Sequence, residues 1–160
     1  MSRWQKWGRL LVLWFIIGEQ YFVLEAVYRA FKGERAHIAM LAVGGLCGVL
    51  IGAVNQHPIF YKLPVLVQSI IGVVIVLVVE FCSGIVLNVL LGLGIWDYSN
   101  LWGNLYGQIC IQFAFIWLLL MPLAIWLEDA LRWGFGWNGR AYKLSSIYIE
   151  FFTLRKATVY

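Results

Sequence analysis

The stretch Pro64-Val-Leu-Val-Gln-Ser-Ile-Ile-Gly-Val-Val-Ile-Val-Leu-Val-Val-Glu80-Phe-Cys-Ser-Gly84-Ile-Val-Leu-Asn88-Val-Leu-Leu-Gly-Leu93 decides how this chain folds. A helix that crosses a membrane needs about 20 mostly apolar residues, and this run exceeds that. Its opening Pro suits a first helical position, where the missing N–H would have no partner in any case. One carboxylate, Glu80, interrupts the run. Shortly after it the chain reaches Trp96-Asp97-Tyr98-Ser99.

The whole chain has the same character. Of 160 residues, 62% are hydrophobic and 12% charged, and the mean hydropathy is +0.82. A soluble domain carries about 25% charged residues. So much apolar surface cannot be hidden in one small core, and the class is integral membrane protein. Nine Trp and eight Tyr fit, because amphipathic rings collect at membrane–water interfaces. The net charge of +4 does not point to nucleic acid. The cations stand at the ends of apolar segments and form no phosphate-tracking stripe. Cys47, Cys82 and Cys110 all fall in apolar runs, without metal-ligand spacing, and are expected as buried thiols with no disulfide framework.

Arg3, Lys6 and Arg9 before Leu10–Ile17 have the order of a secretory leader. Gly-Glu-Gln follows in place of a small-x-small cleavage site, so a retained first helix is expected. Four segments qualify as spans: Trp7–Phe31, Ile38–Val54, Pro64–Leu93 and Leu105–Leu127, the last kinked near its end by Pro122. The expected fold class is all-α, a polytopic membrane protein with four transmembrane helices in a bundle. Residues 1–130 form the transmembrane domain, and 131–160 a cytoplasmic or interfacial tail. Arg132–Arg140 mixes aromatics, glycines and cations, as headgroup-level segments do. Ser146–Leu154 reads either as a short amphipathic helix or as an extended piece.

With four spans both termini share a side. That side holds Arg3, Lys6, Arg9, Lys62, Arg132, Arg140, Lys143, Arg155 and Lys156. The other holds Arg29, Lys32 and Arg35. Nine cations against three place both termini in the cytoplasm of a multi-pass cell-membrane protein.

Small and polar residues then suggest how helices meet. Gly44, Gly48 and Gly52, widened by Gly45 and Ala53, make a flat stripe for close packing, within the chain or in a dimer. Glu80, Ser83, Gly84 and Asn88 share one face of the third segment. Asn104, Gln108 and Gln112 do so on the fourth. Glu25 and Arg29 stand four apart in the favourable acid-before-base order, with Glu19 on a different sector of that helix.

An acidic side chain at mid-span costs roughly 2.5–3.5 kcal/mol on insertion scales, so Glu80 and Glu19 need an explanation. Glu80 is either a proton, cation or substrate site, or a polar lock onto a partner such as Gln108 or Asn88. The candidate polar set is Glu80, Asn88, Gln108, Gln112 and Glu19. Trp96 and Tyr98 suit an aromatic belt. Asp97 either clamps helices one and three by pairing with Arg29, Lys32 or Arg35, or leads a turn helped by Ser99 and Asn100.

Together, Glu80-Phe-Cys-Ser-Gly84, Leu87-Asn88, Trp96-Asp97-Tyr98-Ser99, Asn104-Leu-Tyr-Gly107-Gln108-Ile109-Cys110 and Trp117 resemble the core of the family called Putative ABC-transporter type IV, or CmpB-type membrane proteins. Trp102-Gly103 stands where that pattern commonly has Pro-Phe. The resemblance implies a multi-spanning, permease-like protein with a transport role. The chain has no Gly-rich phosphate loop, so a true permease of this kind needs a separate ATPase. The loop Asn55–Leu63 is too short for a convincing coupling helix, and four spans need an oligomer to build a pathway.

The expected partners are therefore the lipid bilayer and either further copies or other membrane subunits. The alternative to transport is a structural or accessory subunit of a membrane assembly. No enzyme is expected. His37 and His57 fall on opposite sides with no Cys or His at ligand spacing, and Ser83 and Ser99 have no nearby base. No cofactor and no metal are expected.

Overall fold

The computed structural model describes residues 2–154, so Arg155 and Lys156 lie outside the described residues. Among these the named elements are all helices, joined by loops: α1 (Arg3–Ala30), α2 (Ala39–Asn55), α3 (Val65–Gly84) continued by a π-helical turn (Ile85–Leu90), α4 (Ile111–Gly134) and α5 (Leu144–Thr153). It divides into two compact units, Met1–Leu50 and Ile51–Tyr160, with the boundary inside α2.

In the first unit, Ser2 opens α1 with a capping box. Its hydroxyl accepts from the Gln5 N–H at 3.2 Å, and the Gln5 side chain accepts from the Ser2 N–H at 2.9 Å. Arg29 complements the negative end of the helix dipole in the last turn. It also pairs with Glu25 at 2.5 Å and Glu34 at 3.1 Å. Trp14, Ile17, Gly18 and Tyr21, one face by helical spacing, meet α2. Gly18 lies against the Leu41 carbonyl, Gly45 against the Trp14 carbonyl, Gly44 against the Tyr21 ring and Gly48 against Ile17. A Cβ at any of these would displace a neighbour, so the two backbones approach closely. Gly52, in the other unit, faces Glu128.

The second unit is built on α3 and α4. Gly72 of α3 admits the Met121 side chain of α4, and Val65, Val76, Met121 and Ile125 are buried there. Pro64 stands one residue before the first helical position. Gln68 in the opening turn donates to the carbonyls of Leu63 (2.7 Å) and Tyr61 (3.3 Å). Helix α4 runs through Pro122 and on to Gly134. The Ser146–Leu154 region is largely helical, as α5, which packs on both α3 and α4. Its Tyr148 hydroxyl donates to the Leu119 carbonyl, well inside the apolar length of α4.

Among the described residues, three helical rods are long and apolar enough to cross a membrane: α1, α3 with its π turn, and α4. Only 11%, 33% and 22% of their most apolar windows are buried. Val74, Val78 and Phe115 are more than half exposed. A water-soluble monomer rarely shows contiguous apolar surface on this scale, so the protein is membrane-embedded. Helix α2 is equally apolar, but its 17 residues reach about 26 Å, short of the roughly 30 Å hydrocarbon core.

Two expectations need correction here. The fourth helix begins at Ile111 rather than Leu105, because Gly103, Tyr106 and Gly107 take left-handed backbone that ends any helix. Asn104 and Gln108 therefore sit in a loop, and only Gln112 belongs to α4. Cys47 and Cys110 are buried, but Cys82 is exposed, and all three are free thiols.

Candidate functional site

The polar groups of the second unit gather at its two ends. At the end where α3 stops and α4 starts, Glu80 is 4% exposed and accepts from the Trp117 indole Nε1–H at 3.1 Å. Trp117 lies about two turns into α4, so this bond ties two apolar helices together. Glu80 does not take Asn88 or Gln108 as its partner.

Those amides form a separate knot. The π turn places Asn88, whose Nδ2 donates to Gln108 Oε1 (2.9 Å) and to the Trp96 carbonyl (3.0 Å). Its Oδ1 accepts from the Ile95 N–H at 2.7 Å. Buried Trp96 donates its indole N–H to the Gln108 carbonyl at 3.0 Å, and Gln108 donates to the Tyr106 carbonyl at 3.0 Å. Gly84 leaves room for the Gln108 amide. Each of the three side chains thus uses the others or the loop backbone to satisfy its polar atoms away from water.

Asp97 proves to be a turn carboxylate. Its Oδ1 accepts from the Ser99 N–H (2.8 Å) and hydroxyl (2.5 Å), which hold the carboxyl below its ordinary range. Gly107, with φ +67°, presses against both residues, and its carbonyl accepts the Tyr98 N–H at 2.8 Å. Asn104 donates to the carbonyls of Leu101 (2.8 Å) and Ser99 (3.1 Å), fixing the loop from within. Tyr98 stacks on Phe113 at 4.6 Å. Gln112 lies against the Trp102 backbone, donating to its carbonyl at 2.7 Å and accepting from its N–H at 3.2 Å. Glu19 belongs to the other unit, exposed on α1, and is not in this knot.

The other end of the unit holds a cluster that the sequence reading missed. Glu128 and Asp129 are 1% and 0% exposed. Arg132 pairs with Glu128 one turn away. Arg140 reaches Asp129 at 3.0 Å and donates to Asn55 Oδ1 at 2.9 Å, with its guanidinium 5.0 Å from the Tyr61 ring centre. Gln56 donates to Asp129 (2.8 Å) and Glu128 (3.2 Å). The Tyr142 hydroxyl donates to Asp129 Oδ2 at 2.9 Å, and burial beside that carboxylate pushes its phenol well above the usual range. Trp126 donates to the Tyr142 carbonyl at 2.9 Å. The segment after α4 is thus pinned to α4 and to the end of α2 by Arg140 and Tyr142, while Arg132 pairs within α4.

Chemically, most polar side-chain atoms at both ends are engaged with one another, although the buried Asn55 Nδ2 donates no hydrogen bond and the buried Glu80 Oε2 accepts none. Among the described residues no three His, Cys, Asp or Glu side chains gather as metal ligands would. The signal for the second cluster was the pair Glu128-Asp129 followed by Arg132 at acid-before-base spacing. The expected fourth span ends at Leu127, one residue before the pair.

A sequence model of the family described as Putative ABC-transporter type IV matches residues 12–153. No curated protein and no solved structure matches the chain.

Proposed function

The chain belongs to the Putative ABC-transporter type IV family, and from that premise we propose that it is a permease-like membrane component of a transport assembly whose intramembrane polar groups act as locks. On this reading its four apolar helices cross the cell membrane as a bundle, with both termini in the cytoplasm. The nine-to-three division of Lys and Arg between the loops supports that orientation. The Glu128–Asp129 cluster then stands on the cytoplasmic side and the Trp96–Gln108 loop outside. ATP hydrolysis falls to a separate ATPase, since the sequence has no phosphate-binding Gly-rich loop.

The observation that carries the reading is Glu80, 4% exposed and bonded to Trp117. A group that titrates during transport needs access to water, whereas this carboxyl is covered and engaged. The neighbouring amides are likewise taken up by one another and by the loop. These features favour an accessory or scaffold subunit over a solute pathway within one copy.

Two measurements test it. The purified chain alone, reconstituted in vesicles, should give no solute or proton flux between pH 5 and 8. Gentle extraction from native membranes should recover it with other membrane subunits. A pH-dependent flux carried by the chain alone and lost in Glu80→Gln would make Glu80 a transport group and overturn the lock.

A further inference from the structure

We propose that one ordered water molecule is a built-in part of the second unit, held between Asn55 of α2, Gln68 of α3 and Glu150 of α5. Two cavities of equal size, about 10 Å³ each, lie wholly within that unit and share Asn55 and Gln68 in their linings. A volume of this order has room for one water and for nothing larger. Water belongs in only one of the two.

The first cavity stands beside the Glu128–Asp129 cluster. Its polar lining is Asn55, Gln68, Arg140, Tyr142 and Glu150. Asn55 is 4% exposed and Glu150 5%. The Asn55 Oδ1 accepts from Arg140, while its Nδ2 donates to no protein atom. A buried donor left in that state is costly, and folded proteins commonly meet the need with an ordered water. Gln68 spends its Nε2 on the carbonyls of Leu63 and Tyr61, so the polar atom it has left for the cavity is the accepting Oε1. Glu150 brings a carboxylate, which only accepts when ionised. A water that accepts from Asn55 Nδ2 and donates to Gln68 Oε1 and Glu150 makes three bonds, the usual number for a buried water. The occupant is neutral, because an anion would meet Glu150 and a cation would meet Arg140.

The second cavity is the built-in comparison. Ile51, Val54, Phe60 and Ile75 wall it, and among its described lining residues only Asn55 and Gln68 carry polar side chains. A water there finds no carboxylate and few partners, and apolar cavities stay dry. The same asparagine thus borders a wet cavity and a dry one. The water joins the end of α2, the opening of α3 and α5 through a single oxygen, so the seat of α5 includes solvent held inside the protein.

The test is a density map of the full chain in lipid, at a resolution that shows ordered water. One peak within hydrogen-bond reach of Asn55 Nδ2 and the Glu150 carboxylate is expected, with none in the apolar cavity. Glu150→Gln should keep the peak, since its carbonyl oxygen still accepts. Glu150→Leu should lose it. In solution, the Asn55 side-chain amide protons should show magnetisation transfer from a long-lived water in the wild type and in Glu150→Gln, and lose it in Glu150→Leu. An empty first cavity in the wild type, a water in the apolar cavity in its place, or a peak and transfer unmoved by Glu150→Leu would each overturn the proposal. If Glu150→Leu does not fold, the contrast between the two cavities of the wild type decides.

Discussion

Trp117 of α4 donates its indole N–H to Glu80 of α3 across 3.1 Å, and these residues are 37 apart in sequence. This bond explains how the most apolar run in the chain tolerates a carboxylate. The acid faces a neighbouring helix, and its polarity becomes a specific attachment.

Trp117→Phe should therefore cost about 1–3 kcal/mol of stability, since it leaves a buried acceptor without its donor. Glu80→Gln should cost less, because its carbonyl still accepts from the indole. Unfolding of both variants in mixed micelles checks the order. A neutral Trp117→Phe would mean that the bond does not hold α3 to α4.

Asp129 carries more of the structure than its place near a helix end suggests. Asp129→Ala removes the carboxylate that pairs with Arg140 and accepts from Tyr142 and Gln56, and should cost about 3–5 kcal/mol, as breaking a buried ion pair does. The segment after α4 should loosen, and tryptic cleavage after Arg140 and Lys143 should accelerate. Combining Asp129→Leu with Arg140→Met should restore much of the protection, because neither charge is then left buried alone.

Tyr142 should keep its phenolic proton beyond the ordinary pKa of 10.0. The difference in absorbance at 295 nm between wild type and Tyr142→Phe should show no phenolate as pH passes 10. The folded state holds this proton more tightly than the unfolded state does. Its contribution to stability is therefore complete below pH about 10 and declines as pH rises above it. Tyr142→Phe should flatten that decline.

Gly18 tests the packing of α1 on α2. A Cβ there meets the Leu41 carbonyl, which is backbone and cannot swing aside. Gly18→Ala should cost about 1–3 kcal/mol, as overpacking does. Gly134→Ala, where a Cβ meets nothing within 4 Å, should stay within about 0.5 kcal/mol of wild type. Thermal unfolding of the two variants in the same detergent makes the comparison.

The apolar rods were legible in the sequence because length and hydropathy alone specify them. Their ends were less so. Asn104, Gln108 and Gln112 repeat every four residues, which suits a helical face, yet two of them serve a loop. Gly103 and Gly107, which force the left-handed turns, were the residues that could have shown it. Asp97 could be narrowed to a clamp or a turn, and only coordinates place Ser99 on its carboxylate. The Glu128–Asp129 cluster was hidden for a different reason. Its partners Asn55, Gln56, Arg140 and Tyr142 come from either side of α4 and lie up to 85 residues apart. No local pattern announces such a meeting.

The π turn at Ile85–Leu90 has a consequence for how this chain can vary in length. Its backbone bonds span five residues, one more than in the helix before it. Deleting any one residue there would let the turn rewind as ordinary helix and swing the Asn88 carboxamide off Trp96 and Gln108. Evolution is therefore expected to forbid indels between Glu80 and Asn88. A few residues later, Gly92 and Gly94 take left-handed backbone in the short link that returns Ile95 and Trp96 to Asn88, so the same intolerance of added or missing residues should extend to that link.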